Sequence, residues 1–166
     1  MKFETYPDRE ALMLGLADVI AGQLSEALNR DGRASFSVPG GTTPGPVFDI
    51  LSGVGLDWAH VAVFLNDERW VGEDSPRSNT RLLRERLLTD KAAAAQLVPL
   101  YAAAEKPELA LEALAEGLAP HLPITVLLLG MGGDMHTASL FPGADLLADV
   151  TAHALRRATR QPRTAR

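Results

Sequence analysis

The sequence predicts an α/β fold in which a mostly parallel sheet carries helices on both faces. Three observations lead there. Strand-like segments alternate with helical ones along the chain. The strands read as near-continuous apolar runs, the pattern of strands buried on both sides. And the glycine-rich or polar segments 39–44, 66–69 and 130–139 each follow a predicted strand, at the carboxyl ends where ligands bind in such sheets.

From Asp8 to Asn29, Leu12, Leu16, Val19, Ile20, Leu24, Ala27 and Leu28 recur at helical spacing, with Asp8 as N-cap and Asp31-Gly32 as the stop. Ala34 to Val38 alternates and runs into Pro39-Gly40-Gly41, a strand entering a tight turn. A short helix begins at Pro44 or Pro46, with Val47, Phe48, Ile50 and Leu51 as its apolar face; proline suits a first helical turn. Val61 to Leu65 is a second buried strand, Asn79 to Leu88 a helix with an Asn or Ser cap, and Leu97 to Leu100 a brief strand. Pro107 to Leu118 reads as a helix through Leu109, Leu111, Leu114 and Leu118. Ile124 to Leu129 is the third main strand, followed by a glycine turn and then a helix from about Thr137.

A chain of 166 residues, 46% hydrophobic and 22% charged, fits one ordinary globular domain. No run approaches the roughly 18 apolar residues of a membrane span, and the start, Met1-Lys2-Phe3-Glu4, lacks the order of a signal peptide. Without cysteine there are no disulfides or thiolate metal sites, which suits a cytoplasmic protein. The histidines 60, 121, 136 and 153 show no i,i+4 pairing, so no metal site is expected. The formal charge is −5, yet residues 151–166 hold five arginines and no acid, leaving −10 on the first 150. So acidic a body argues against general nucleic-acid binding; the basic end reads as a solvated, irregular tail.

Three segments can carry chemistry. Gly40-Gly41-Thr42-Thr43-Pro44 offers backbone N–H groups, two hydroxyls and a helix start to a phosphate, although a Gly-Gly turn before a helix is often structural. It is neither a Walker loop nor a dinucleotide fingerprint. Asn66-Asp67-Glu68-Arg69 puts two carboxylates and a guanidinium at a strand end. Arginine matches phosphate bidentately with a carboxylate holding its fork, the alternative being a surface ion pair. Ser78, Asn79 and Arg81 add polar contacts or merely cap the helix. The turn Gly130-Met131-Gly132-Gly133-Asp134-Met135-His136 combines an anion-accepting backbone with a proton-transfer group. A helix starting near Thr137 would favour the neutral imidazole, whereas Asp134 would favour the charged ring and could orient it by a hydrogen bond.

The Gly-Gly-Thr-Thr-Pro turn, Asp67-Glu68-Arg69-Trp70-Val71, Ser78-Asn79 and the run from Gly130 through His136, Thr137, Ala138 and Ser139 to Gly143 occur in the order and spacing of 6-phosphogluconolactonases. The resemblance covers about residues 8–147, and the last motif is long and specific. It implies a Rossmann-like three-layer sandwich related to glucosamine-6-phosphate deaminases, and hydrolysis of 6-phosphoglucono-1,5-lactone to 6-phosphogluconate in the oxidative pentose phosphate pathway without metal or organic cofactor. His136 resembles the family's base on water, Arg69 its phosphate-binding arginine, and Gly40, Gly41 and Thr42 its phosphate loop. The candidate site is therefore His136 and Asp134 for catalysis, with Gly40, Gly41, Thr42, Thr43, Asp67, Arg69, Asn79 and Gly132 for substrate and phosphate. Ser139 reads as a helix residue rather than a nucleophile.

The sequence departs from the family in three places. Pro39 replaces a usual serine, and Met135 stands where glycine is common, which implies strain if that position needs φ > 0. Beyond Leu147 the resemblance stops and family members run on. Residues 1–147 therefore read as one lactonase-like domain lacking its C-terminal part, and 148–166 as the product of a shifted frame or truncated gene model, which the coding DNA beyond Leu147 decides. The expected partner is a small sugar-phosphate lactone, with no nucleic acid or membrane, on a monomer or weak homo-oligomer. The alternatives are a glucosamine-6-phosphate deaminase/isomerase, with a carboxylate at Asp67 abstracting the proton, and a non-catalytic sugar-phosphate-binding domain.

Overall fold

A computed structural model describes residues 2–144; the tail assigned to 148–166, with His153, lies outside them. Two compact units are described, Met1–Leu129 and the chain from Gly130 onward.

In the first unit, α1 (Arg9–Asp31), β1 (Ala34–Val38), α2 (Gly45–Ser52), β2 (Val61–Leu65), α3 (Asn79–Arg86), β3 (Gln96–Leu97), α4 (Leu111–Leu118) and β4 (Val126–Leu127) follow one another. The sheet order is β3-β2-β1-β4, and every pairing is parallel. β1 and β2 are buried at all five positions; β2 is apolar throughout, as strands covered on both faces tend to be, whereas β1 also buries Ser35 and Ser37. One face packs Phe36, Val38, Val63 and Leu65 against Ile20 and Leu24 of α1, Phe48 and Leu51 of α2, and Leu83 of α3. On the other, Ala62, Phe64 and Val98 meet Leu118 of α4 in a smaller cluster. This is the three-layer α/β architecture expected. The strand order reverses between β1 and β4, the kind of position at which open α/β sheets bind ligands.

Helix α1 is capped as predicted. The Asp8 side chain accepts from the Ala11 N–H (2.8 Å), and Gly32 closes the end at φ 69° with its N–H on the Leu28 carbonyl. Its buried stripe is Met13, Ala17, Ile20, Leu24 and Ala27, however. Leu12 and Val19, expected inside, are 37% and 50% exposed. Contrary to expectation, α1 is also long and apolar enough to cross a membrane by length and composition, but its buried stripe is spent on the core beneath it.

Three other elements differ from expectation. Residues 107–109 form a separate 3₁₀ turn before α4, and Leu109 and Leu111 are exposed because α4 meets the sheet chiefly through Leu118. β3 starts one residue early and ends at Leu97, although the Val98 N–H continues the ladder onto the Val63 carbonyl (2.9 Å). β4 keeps two of the six residues 124–129 in the ladder, and among the described residues it pairs with β1 alone. Ile124, Leu127 and Leu129 are accordingly exposed rather than buried. Side chains lengthen the β1–β4 junction. The Ser35 and Thr125 hydroxyls accept each other's backbone N–H groups (2.9–3.0 Å). At the opposite end Asn66 accepts from the Ser37 hydroxyl (2.6 Å) and donates to the Leu128 carbonyl (2.7 Å).

In the second unit, no helix lies within residues 130–144. The helix expected from Thr137 is replaced by a tight reversal. Thr137 and Leu140 exchange N–H···O bonds at 3.1 and 2.9 Å, and Ala138 takes φ 50°, which a right-handed helix forbids. Ser139 thus sits in a turn.

Candidate functional site

One candidate segment of the site lies at the carboxyl ends of β1 and β2. The chain leaves β1 through Pro39 and turns at Gly40-Gly41, with Gly41 at φ 81°, a conformation open to glycine and costly for other residues. Gly40 is required for a different reason: a Cβ there would fall 2.2 Å from the carboxamide of Asn79. Thr42 and Thr43 are exposed, and the Thr42 carbonyl receives the Gly45 N–H (3.2 Å) to start α2. Among the described residues of this unit, the N–H groups of residues 40–43 donate to no protein acceptor, which leaves four consecutive donors at the mouth of a helix. Such a row is a ready anion cradle.

Asp67, Glu68 and Arg69 follow β2. The guanidinium of Arg69 is exposed and, within this unit, pairs with no carboxylate. The expected carboxylate brace is therefore not formed. Glu68 accepts instead from the backbone N–H of Arg69 (2.7 Å) and reaches across to the start of α3. There it accepts from the N–H groups of Asn79 (2.8 Å) and Thr80 (2.7 Å) and from the hydroxyls of Thr80 (2.6 Å) and Ser78 (3.3 Å). Burial pushes the Glu68 carboxyl up, but the Thr80 hydroxyl and the three amides outweigh it and hold the group below the usual carboxylate range. Glu68 is absent from the sequence-derived set. Its partners lie ten to twelve residues away, beyond any local motif.

Asn79 is not the cap. Ser78 caps α3, its hydroxyl accepting the Arg81 N–H (3.2 Å). The buried Asn79 donates to the Asp67 carbonyl (3.1 Å) and lies against Gly40. On the other flank of Arg69, the Trp70 indole donates to the Ala104 carbonyl (2.9 Å) and meets Tyr101 edge-on at 5.0 Å. Gly40, Gly41, Thr42, Thr43, Asp67, Arg69 and Asn79 are thus members of one loop cluster.

The other candidate segment is the turn after β4, described by itself. His136 Nδ1 lies 2.5 Å from Asp134 Oδ1, and the His136 N–H donates to the same oxygen at 3.3 Å. An ionised carboxylate only accepts, so the ring proton is assigned to Nδ1, leaving the Nε2 lone pair for a proton from outside. The hydrogen bond from the His136 ring, followed by that from its amide, holds the Asp134 carboxyl below its ordinary value. Phe141 stacks on the imidazole, centroids 4.7 Å apart and planes at 18°. The loop closes through Gly132 N–H to the His136 carbonyl and Met135 N–H to the Gly132 carbonyl, both 2.9 Å. A Cβ on Gly132 would come within 2.3–2.7 Å of the His136 ring and the Asp134 carboxylate, so the pair closes only over glycine. Met135 takes φ 66°, the strained conformation its replacement of a glycine implies. Among residues 130–144, which hold no helix, the ring is oriented by Asp134 and Phe141. Among the described residues no group of three or more His, Asp or Glu side chains could hold a metal ion.

The chain is 46% identical over 146 residues to a 6-phosphogluconolactonase of Rhizobium meliloti, covering 87% of this chain and 62% of that protein. It is 46% identical over 144 residues to that of Pseudomonas aeruginosa, covering 81% and 58%. The crystal structure of a 6-phosphogluconolactonase from Shewanella baltica superposes with a TM-score of 0.84 at 40% identity, covering 89% of this chain and 64% of that one. The chain thus spans about 60% of the length of the curated relatives it matches. The family profile matches residues 7–166, running past Leu147, where the motif-by-motif resemblance ends. With that match over nearly its whole length, the chain belongs to the glucosamine-6-phosphate isomerases/6-phosphogluconolactonase family.

Proposed function

We propose that the chain carries the site of a 6-phosphogluconolactonase, hydrolysing 6-phosphoglucono-1,5-lactone to 6-phosphogluconate within the cytoplasmic pentose phosphate pathway. The observation that carries this reading is the Asp134–His136 pair closed over Gly132, in a chain whose matched relatives are named 6-phosphogluconolactonases. In this reading the amides of residues 40–43, the Thr42 and Thr43 hydroxyls and the Arg69 guanidinium hold the phosphate, with Asp67 and Asn79 lining the same loop cluster. His136 Nε2 takes a proton from water as the water oxygen attacks the lactone carbonyl. The tetrahedral intermediate collapses with cleavage of the ring C–O bond. The departing alkoxide receives the proton from the imidazolium, and the new acid ionises. One positioned base and one anchor suffice for so reactive an ester, and the reading uses no cofactor.

The test is the loss of freshly prepared 6-phosphoglucono-1,5-lactone with the purified 166-residue chain. The wild type should accelerate it, and His136→Ala should remove at least about a hundredfold of that gain. Unchanged turnover in the variant would strike His136 from its role. Ammonia release from glucosamine 6-phosphate would favour the deaminase instead. Thermal stabilisation by 6-phosphogluconate without turnover would favour a binding domain.

A further inference from the structure

Glu68 does more than helix α3 requires. The helix already has its cap in Ser78, yet the Glu68 carboxylate takes five further hydrogen bonds. Four come from Ser78, Asn79 and Thr80, all buried; the fifth comes from the backbone of Arg69. A carboxylate at the first amides of a helix is stabilised both by those donors and by the helix dipole. What the arrangement adds to a capped helix is a fixed point for residue 69. Because Trp70 is anchored on Ala104 and Tyr101, the backbone of Arg69 is pinned from both sides while its guanidinium stays exposed. Glu68 also fixes the backbone of Asn79. The carboxamide of Asn79 in turn holds the Asp67 carbonyl and forms the wall against which Gly40 turns.

We propose that Glu68 is the positioning residue of the phosphate grip, setting the Arg69 backbone directly and the Gly40–Thr43 turn through Asn79. The proposal rests on the lactonase reading for the identity of the ligand, but not for the coupling itself. The two carboxylate oxygens are used differently, which makes the substitution Glu68→Gln informative. Oε1 faces the amides of Arg69 and Asn79, and Oε2 faces the amide of Thr80. Hydroxyls can rotate and amides cannot, so either orientation of a glutamine sets its NH₂ group against a backbone donor. Thr80→Val, which removes one side-chain donor and leaves every backbone bond, is the milder companion should the first variant fold poorly.

Hydrogen–deuterium exchange on the 166-residue chain reads the positioning, and ligand binding reads its consequence. In Glu68→Gln, peptides covering 66–80 and the Gly45 amide, whose bond to the Thr42 carbonyl reports the turn, should both exchange about tenfold faster, while the peptides of α1 and of 130–144 stay unchanged. The dissociation constant for 6-phosphogluconate and the KM for the lactone should each rise about tenfold with kcat within about twofold. Thr80→Val should move the same readouts two- to threefold. Faster exchange in 66–80 with the Gly45 amide untouched, uniform loosening of the whole chain, or a fall in kcat at constant KM would each overturn the proposal. A wild-type chain that ignores 6-phosphogluconate sinks the lactonase reading, while exchange at the Gly45 amide still decides the coupling.

Discussion

The two glycine turns of this protein reach similar ends by opposite means. The turn at 40–43 makes no internal bracing of its own. It is shaped from outside, by Asn79 from α3 and, behind Asn79, by Glu68 from the end of β2. The turn at 130–136 is self-contained: Gly132, Asp134 and His136 bond one another, and Phe141 covers the ring from five residues downstream. A phosphate anchor must hold a fixed distance from a sheet, so buried long-range contacts suit it. A general base needs one ring orientation and one free nitrogen, which a local Asp–His pair can supply. The externally braced turn should therefore be damaged by changes far away in sequence, and the self-braced one by changes within it.

Four measurements press on that contrast. The largest effect is expected from Asp134→Asn, whose amide can donate to His136 Nδ1 and leave the proton on Nε2, where it blocks the base. kcat should fall about a hundredfold with KM little changed; an unaltered kcat would show that the pair does not set the tautomer. Next is Gly40→Ala, whose new methyl group meets the Asn79 carboxamide. It should lower stability by about 1–3 kcal/mol and weaken 6-phosphogluconate binding. Gly41→Ala, at φ 81° with open space around it, should cost only about 1–2 kcal/mol. Equal binding losses in the two would contradict bracing from Asn79.

The third concerns acid. The Glu68 carboxyl titrates lower folded than unfolded, so its stabilisation is complete above the unfolded value near about 4.3 and is lost as pH falls through the folded one. The gap in melting temperature between wild type and Glu68→Gln should be widest at neutral pH and narrow toward about pH 3. A constant gap would remove the carboxylate as its source. The smallest effect belongs to Met135→Gly, which relieves φ 66° and should stabilise the chain by up to about 1 kcal/mol in thermal unfolding.

What could be read in the sequence follows from how local its causes are. β2 is legible because burial on both faces forces apolar residues at every position, and β1 through its alternation and the turn that ends it, although its Ser35 and Ser37 are buried as well. The spacing around α1 allowed two neighbouring stripes; one built on Leu12 and Val19 reads as plausibly as the observed Met13–Ala17–Ile20, and only packing on β1 chooses. β4 was over-read, since apolar composition says nothing about how many neighbours a strand has. In the candidate site the glycines and His136 stood out because turn chemistry is written in adjacent residues. Glu68 did not, because an acceptor serving donors ten to twelve positions away leaves no periodic trace, and Asn79 looked like a cap because the capping serine stands beside it. The helix expected after His136 failed for a similar reason: Met135 and Ala138 adopt left-handed conformations that their identities do not announce.

The join between β1 and β4 has a mechanical corollary. Where a long strand would be zipped by a ladder, this one is buttoned at its ends: Ser35 with Thr125 at one, Asn66 with Ser37 and the Leu128 carbonyl at the other. Buttons come undone singly. β4 should peel away in separate small steps while β1, β2 and β3 stay paired, giving these strands a built-in order of disassembly.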